Sequence, residues 1–152
     1  MLQKLKIFLP IFLLTICSCR VSNSSKNNGQ KAFSDFEVVC NNQITWNDLL
    51  SQEENHYFVF IYSETCAHCH DIQDEIVGYA NEDITKTYFI DSKNSGHVPV
   101  VKDIESTIGA TEISDVGILG TPTLFEILHY AVYANVAGKD NILSFLFDEH
   151  PL

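Results

Sequence analysis

An α/β fold, with a central mixed β-sheet flanked by helices, is what this 152-residue chain predicts. Three observations point to it. The run Tyr57-Phe-Val-Phe-Ile-Tyr62 is continuously apolar, the pattern of a strand covered on both faces. After residue 66 the spacing turns helical, with Ile72, Ile76 and Val77 recurring at three-to-four intervals. Strand-like and helix-like segments then follow in the order β-α-β-α-β-α-β-β-α, which sets helices against both faces of a mixed sheet.

Each element has its own signal. Phe36 to Cys40 reads as a short strand, broken by Asn41 and Asn42. Thr45 is placed to cap a helix reaching Leu50, with Asp48 complementing the dipole at its start. Tyr57–Tyr62 is the central strand, and a helix begins near Cys66 with Asp71, Asp74 and Glu75 on its solvated side. Thr87-Tyr-Phe-Ile-Asp91 is the next strand, followed by a loop over Ser92–Pro99. Residues 102–109 read as helix, with a short segment about Ile113–Val116. Pro122 has no N–H to give a ladder, so it opens a strand or sits at an edge. Leu124–Leu128 and Ala131–Val136 form a hairpin turning at His129-Tyr130. Gly138 ends it, and Asp140 can cap a last helix, Asn141–Phe147, with Ile142, Leu143, Leu146 and Phe147 toward the sheet.

The start of the chain reads differently. Lys4 and Lys6 precede a ten-residue apolar run, Ile7 to Ile16, which is too short for a transmembrane helix and has the length of a signal-peptide core. Leu14-Thr-Ile-Cys-Ser-Cys19 then resembles a bacterial lipobox. Cys19 fits as the lipidated residue because small Ser18 precedes it; Cys17 follows bulky Ile16. An ordinary secretory signal shares the same short apolar core. Residues 20–34 are rich in Ser and Asn and lack periodicity, as expected of a flexible tether. Residues 35–152 then form one domain. The expected organisation is 1–19 signal, 20–34 tether and 35–152 domain, held by a lipid anchor on an extracytoplasmic membrane face of a bacterium.

All 20 acidic residues lie after residue 34, and the chain carries a net charge of −11. Loss of Lys4 and Lys6 with the leader makes the remainder more acidic still. Such a surface argues against nucleic acid and against electrostatic docking onto anionic lipid.

The chemistry concentrates in Cys66-Ala-His-Cys69. A cysteine at a helix N-terminus meets the positive end of the helix dipole and unpaired N–H groups, and both favour the reactive thiolate. A protonated His68 would add a charge close by. The dithiol reading has competitors. C-x-x-C is half a zinc site, although no second Cys or His pair follows at short spacing. Cys66-Ala-His-Cys-His70 also fits the attachment signature of c-type haem, with His56, His97, His129 or His150 available as a distal ligand. A plain structural disulfide is the third. Cys40 is left without an obvious role and is expected to be a buried thiol.

Two separated signatures make the chain resemble the thioredoxin family: Cys66-Ala-His-Cys69 after a central strand, and Gly117-Ile-Leu-Gly-Thr-Pro-Thr-Leu124 before a β-hairpin and final helix. The resemblance covers about residues 35–148 and implies a thioredoxin-like fold. It implies Cys66 as the nucleophile and Cys69 as the resolving cysteine. Pro122 would be the cis-proline packed against them. Thr121 would pair with an extended client peptide, with Tyr62 and Ala67 beside it in the substrate-binding set. It further implies thiol–disulfide exchange on exported Cys-containing proteins or peptides and a membrane partner to recycle the dithiol. The redox-active disulfide itself would stand in for any cofactor, with no metal. His68 is similar to the residue found before the second cysteine in protein disulfide isomerases and bacterial disulfide oxidases. Three positions depart from cytoplasmic thioredoxins: Phe60 replaces the buried acid, Thr87 its accompanying lysine, and Thr65 the Trp before the first cysteine.

Overall fold

Alternation along one strand organises the molecule. The computed structural model describes residues 31–149; the leader, Cys17, Cys19 and most of the tether lie outside them. In β1 (His56–Tyr62), Phe58, Phe60 and Tyr62 enter one apolar cluster, while Tyr57, Val59 and Ile61 enter another. Successive side chains point to opposite faces, so both faces must be covered. β1 pairs in parallel with β2 (Thr87–Asp91) and antiparallel with β3 (Thr123–Leu128). β4 (Ala131–Ala137) runs antiparallel to β3, giving the order β2-β1-β3-β4. This is the mixed sheet expected, with strand bounds within one residue of those read from sequence.

The first face is covered by α1 (Glu37–Asn41), α2 (Ala67–Asp71), α3 (Gln73–Glu82) and α4 (Lys139–Ser144). Val39, Cys69, Ile76, Tyr79 and Ile142 bring them onto Phe58, Phe60 and Phe89. The second face is covered by Trp46, Leu49, Val116 and Ile118. These lie in segments that make only short 3-10 turns, Trp46–Asp48 and Ile113–Asp115, so helical cover is one-sided.

Four local expectations are corrected. Phe36–Cys40 is not a strand: Glu37–Asn41 is a helical turn, with Cys40 N–H donating to the Phe36 carbonyl at 3.0 Å. The chain meets the sheet just beyond this turn, where Gln43 forms a single parallel bridge to Phe89. Residues 102–109 form one 3-10 turn, Glu105–Thr107, rather than a helix. Asp103 accepts from the Glu105 N–H, and the Ser106 and Thr107 hydroxyls donate to backbone carbonyls three residues earlier. Such side chains compete with helical bonding. The helix after Cys66 breaks at Ile72 (φ −118°) into α2 and α3. The last helix starts at Lys139 behind Gly138 (φ 89°), not at an Asp140 cap, and passes into a π-turn over Phe145–Glu149. That widening leaves Ile142 and Leu146 buried but Phe147 39% exposed.

The hairpin turns at His129 and Tyr130, both at positive φ (51° and 65°). Such a turn matches the twist of the flanking strands. A register shift between Glu126 and Ile127 makes Tyr133 an extra, exposed residue on β4. Both outer strands carry short partners. Phe89 on β2 exchanges backbone bonds with Asn42 and Ile44 (3.0 and 2.9 Å), and Val132 on β4 with Gly109 and Ala110 (2.7 and 3.0 Å). Inside the sheet sits an acid that sequence reading missed: Glu126 is 4% exposed and its Oε1 lies 2.8 Å from His56 Nε2. Packing begins earlier than the tether boundary at residue 34 suggested, because Phe33 is fully buried. Among the described residues no helix is long and apolar enough to cross a membrane.

Candidate active site

The carboxyl end of β1 delivers the dithiol. Ser63, Glu64 and Thr65 carry the chain from the strand to Cys66, which caps α2 in extended geometry (φ −89°, ψ 113°). An N-cap residue leaves the next N–H groups free to bind its side chain. Here the Cys69 N–H points at Cys66 Sγ, 3.3 Å away. Across the site, Cys66 Sγ lies 3.3 Å from the Thr121 carbonyl, to which its thiol donates. The Thr121-Pro122 peptide is cis and Pro122 is buried, so the loop before β3 is brought against the dithiol. Cys66 and Cys69 are both free thiols; Cys66 is partly buried and Cys69 is wholly buried.

The two thiols are driven apart in acidity. Partial burial opposes ionisation of Cys66, but hydrogen bonds from the Cys69 thiol, the Thr121 side chain and the backbone N–H groups of Cys69 and His68 outweigh it. They hold Cys66 below the ordinary thiol range. Burial, together with the hydrogen bond and charge of Cys66, pushes Cys69 up to about 12. One cysteine is thus poised as an accessible nucleophile and the other is held protonated. A lowered pKa means that thiolate is present above that value and disappears below it. Alkylation of the reduced protein by iodoacetamide is therefore expected at Cys66, with a rate that rises and levels off at lower pH than for free cysteine. Cys69 should stay unreactive until strongly alkaline pH. Peptide mapping across pH checks this, and equal labelling of the two cysteines at neutral pH would contradict it.

His68 contributes through its backbone N–H, while its imidazole is largely exposed and lies 3.6 Å from Asp71. Asp71 also binds Lys139 at 3.0 Å, so it is not simply a solvated position of the helix. His70 is turned inward beside the motif. It is half-buried against the Phe33 ring, with Nε2 2.8 Å from the Glu64 carbonyl oxygen and Nδ1 near Gln73. Tyr62, expected to meet the client, is corrected: it is fully buried beneath Phe33 at a 4.5 Å ring separation, and Gln43 donates to its hydroxyl. Ala67 is exposed beside the motif and Thr121 is half-buried. Cys40 is half-buried and disulfide-bonded, not a buried thiol.

Glu64 has a role that its sequence position did not reveal. Its carboxylate accepts from the Phe33 and Ser34 N–H groups, each at 3.1 Å, fastening the first packed turn beside the site. Lys93 was also missed. Its ammonium donates to Thr65 Oγ1 at 2.8 Å, one residue before Cys66. These contacts join residues about thirty positions apart, and no spacing rule announces them. Among the described residues, no group of three or more His, Cys, Asp or Glu side chains converges as a metal ligand set.

No protein-family model matches the chain, and no curated protein matches it. Among solved structures it is similar to thioredoxin f2 of Chlamydomonas reinhardtii, at 15% identity and TM-score 0.47, covering 72% of this chain and 96% of that one. It is similar to a second protein with a thioredoxin fold at 17% identity and TM-score 0.48, again covering 72% and 96%. A thioredoxin of Malassezia sympodialis gives 15% identity and TM-score 0.47, covering 72% and 90%. The strand order, the dithiol at the end of the central strand and the proline loop facing it make the fold thioredoxin-like.

Proposed function

We propose that this protein is a membrane-tethered thiol–disulfide oxidoreductase that exchanges disulfides with exported proteins through Cys66 and Cys69. The observation that carries this is the asymmetry of the pair. Cys66 is accessible, caps a helix and has a lowered pKa, while Cys69 is buried and protonated. His70, which a haem reading would need as an iron ligand, has Nε2 on a backbone carbonyl instead. The tether, the lipid anchor at Cys19 and the extracytoplasmic location rest on the leader and lipobox of the sequence.

The exchange balances as follows. In the oxidising direction, a client thiolate attacks Cys66 Sγ of the Cys66–Cys69 disulfide. The client–Cys66 bond forms, the Cys66–Cys69 bond breaks, and Cys69 takes a proton. A second client thiolate then attacks its partner sulfur and releases Cys66 as thiolate. The client has lost two electrons and two protons; the protein dithiol has gained the two electrons and one proton, on Cys69, and the other proton goes to solvent while Cys66 stays a thiolate. A membrane redox partner must remove the electrons before the next turnover.

Stabilising the Cys66 thiolate stabilises the reduced dithiol, which makes the disulfide a stronger oxidant. Phe60 leaves no carboxylate on the central strand to deprotonate Cys69. Attack of Cys69 on the mixed disulfide then has proximity but no neighbouring base to speed it, so a second client thiol can compete with it. Equilibration with glutathione, followed by thiol trapping, should place the couple near or above about −180 mV, as for disulfide isomerases and oxidases. A value near about −270 mV, that of thioredoxin, would instead make the protein a client-specific reductant.

A further inference from the structure

Resting on the oxidoreductase reading, we infer that Lys93 selects clients that carry a carboxylate next to the reacting sulfur. The residue is fixed at both ends. Its N–H donates to buried Asp91 Oδ1 at 3.0 Å, and the Ser92 N–H beside it donates to the Tyr62 carbonyl at 2.9 Å, tying this turn to the end of β1. Its ammonium reaches Thr65 Oγ1 at 2.8 Å, and Thr65 in turn lies 3.2 Å from the Ser63 hydroxyl. An ammonium has three N–H donors. Only one is used here: among the described residues no carboxylate lies within ion-pair distance of Lys93.

The nearby carboxylates are occupied elsewhere. Glu64 binds the N–H groups of Phe33 and Ser34, Asp91 binds Lys93 N–H and Asn94, and Asp71 binds Lys139. Lys139, the other lysine at the motif, is thereby neutralised, and Lys93 is not. A chain of net charge −11 repels anionic clients at long range. An exposed cation bound to Thr65, the residue before Cys66, reverses that preference locally for a group arriving with the client cysteine.

The test uses the reduced full-length chain and two small disulfides of opposite charge, oxidised glutathione with its carboxylates and cystamine with its ammonium groups. In each, the Cys66 thiolate attacks one sulfur, the Cys66–S bond forms, and half of the disulfide leaves as thiolate. Cys69 then closes the Cys66–Cys69 disulfide and releases the second half. Acid quenching and mass spectrometry give both rates. Lys93→Gln is expected to slow reaction with oxidised glutathione and speed that with cystamine, lowering their ratio about 5- to 20-fold at low salt. Lys93→Glu should lower it further, Lys93→Arg should restore it, and high salt should shrink the difference. If Lys93→Gln changes both rates by the same factor, or neither, the selection of acidic clients is wrong while the exchange reading stands. If the unsubstituted chain reacts with neither disulfide, the exchange reading itself fails and this inference with it.

Discussion

A Cys69→Ser chain is expected to hold its client. Incubated with oxidised glutathione, it should accumulate a one-to-one mixed disulfide through Cys66, whereas the unsubstituted dithiol passes through the same species and closes its own disulfide. The difference is one of proximity. Cys69 N–H lies 3.3 Å from Cys66 Sγ at the first turn of α2, so the resolving sulfur is held beside the mixed disulfide at a very high local concentration. Serine keeps the backbone geometry but cannot attack sulfur. Cys66→Ser should form no adduct at Cys69, because Cys69 is wholly buried and burial holds its thiol protonated. Intact-mass measurement with mapping of the adduct decides the matter. An adduct on Cys69 in the Cys66→Ser chain would reverse the assigned roles.

The largest loss of stability is expected at Phe60. Its ring is wholly buried and sits 5.8 Å from Phe33, 6.5 Å from Tyr62 and 6.3 Å from Phe89, centroid to centroid. On the central strand, it is opposite Phe89 of β2 and Leu124 of β3. Truncation leaves a void bounded by sheet on one side and by Phe33 of the first packed turn on the other. Phe60→Ala should cost about 3–5 kcal/mol, the usual range for a buried phenylalanine. For a domain of this size, that is a fall in Tm of roughly 10–20 °C. Phe60→Asp would be worse, since it buries a carboxylate with no cation supplied. Thermal unfolding followed by circular dichroism measures both. A fall below about 3 °C for Phe60→Ala would show that this ring is not part of the packed core.

What could be read from sequence follows the physics of each signal. Tyr57–Tyr62, Thr87–Asp91 and the two hairpin strands were legible because an apolar strand writes its burial directly into consecutive residues. Pro122 and Cys66-Ala-His-Cys69 were legible because each imposes a local backbone requirement. Phe36–Cys40 misled because five residues containing two valines fit a strand or one helical turn equally well, and only the neighbouring elements decide between them. The second face misled for a related reason. Trp46, Val116 and Ile118 cover it from short turns, which have no periodicity to detect. The two cysteines of the site were visible, but Glu64, His70 and Lys93 were not. Their partners lie far away in sequence or on the backbone, so the roles exist only after folding.

The short backbone partners on the outer strands have a further consequence. A sheet edge with a free row of N–H and C=O groups is a template on which another chain can add a strand, and repeated addition leads to aggregates. Asn42 and Ile44 occupy one edge at Phe89, Gly109 and Ala110 occupy the other at Val132, and the extra residue at Tyr133 bends what is left. If the protein exchanges disulfides with exported chains as proposed, it would meet them while they are unpaired and sticky, at constant risk of copying their strands onto its own. Blunted edges separate the two kinds of encounter. On the proposed reading, extended chains would be received at the sulfur, where exchange releases them, and refused at the sheet, where pairing would tend to last.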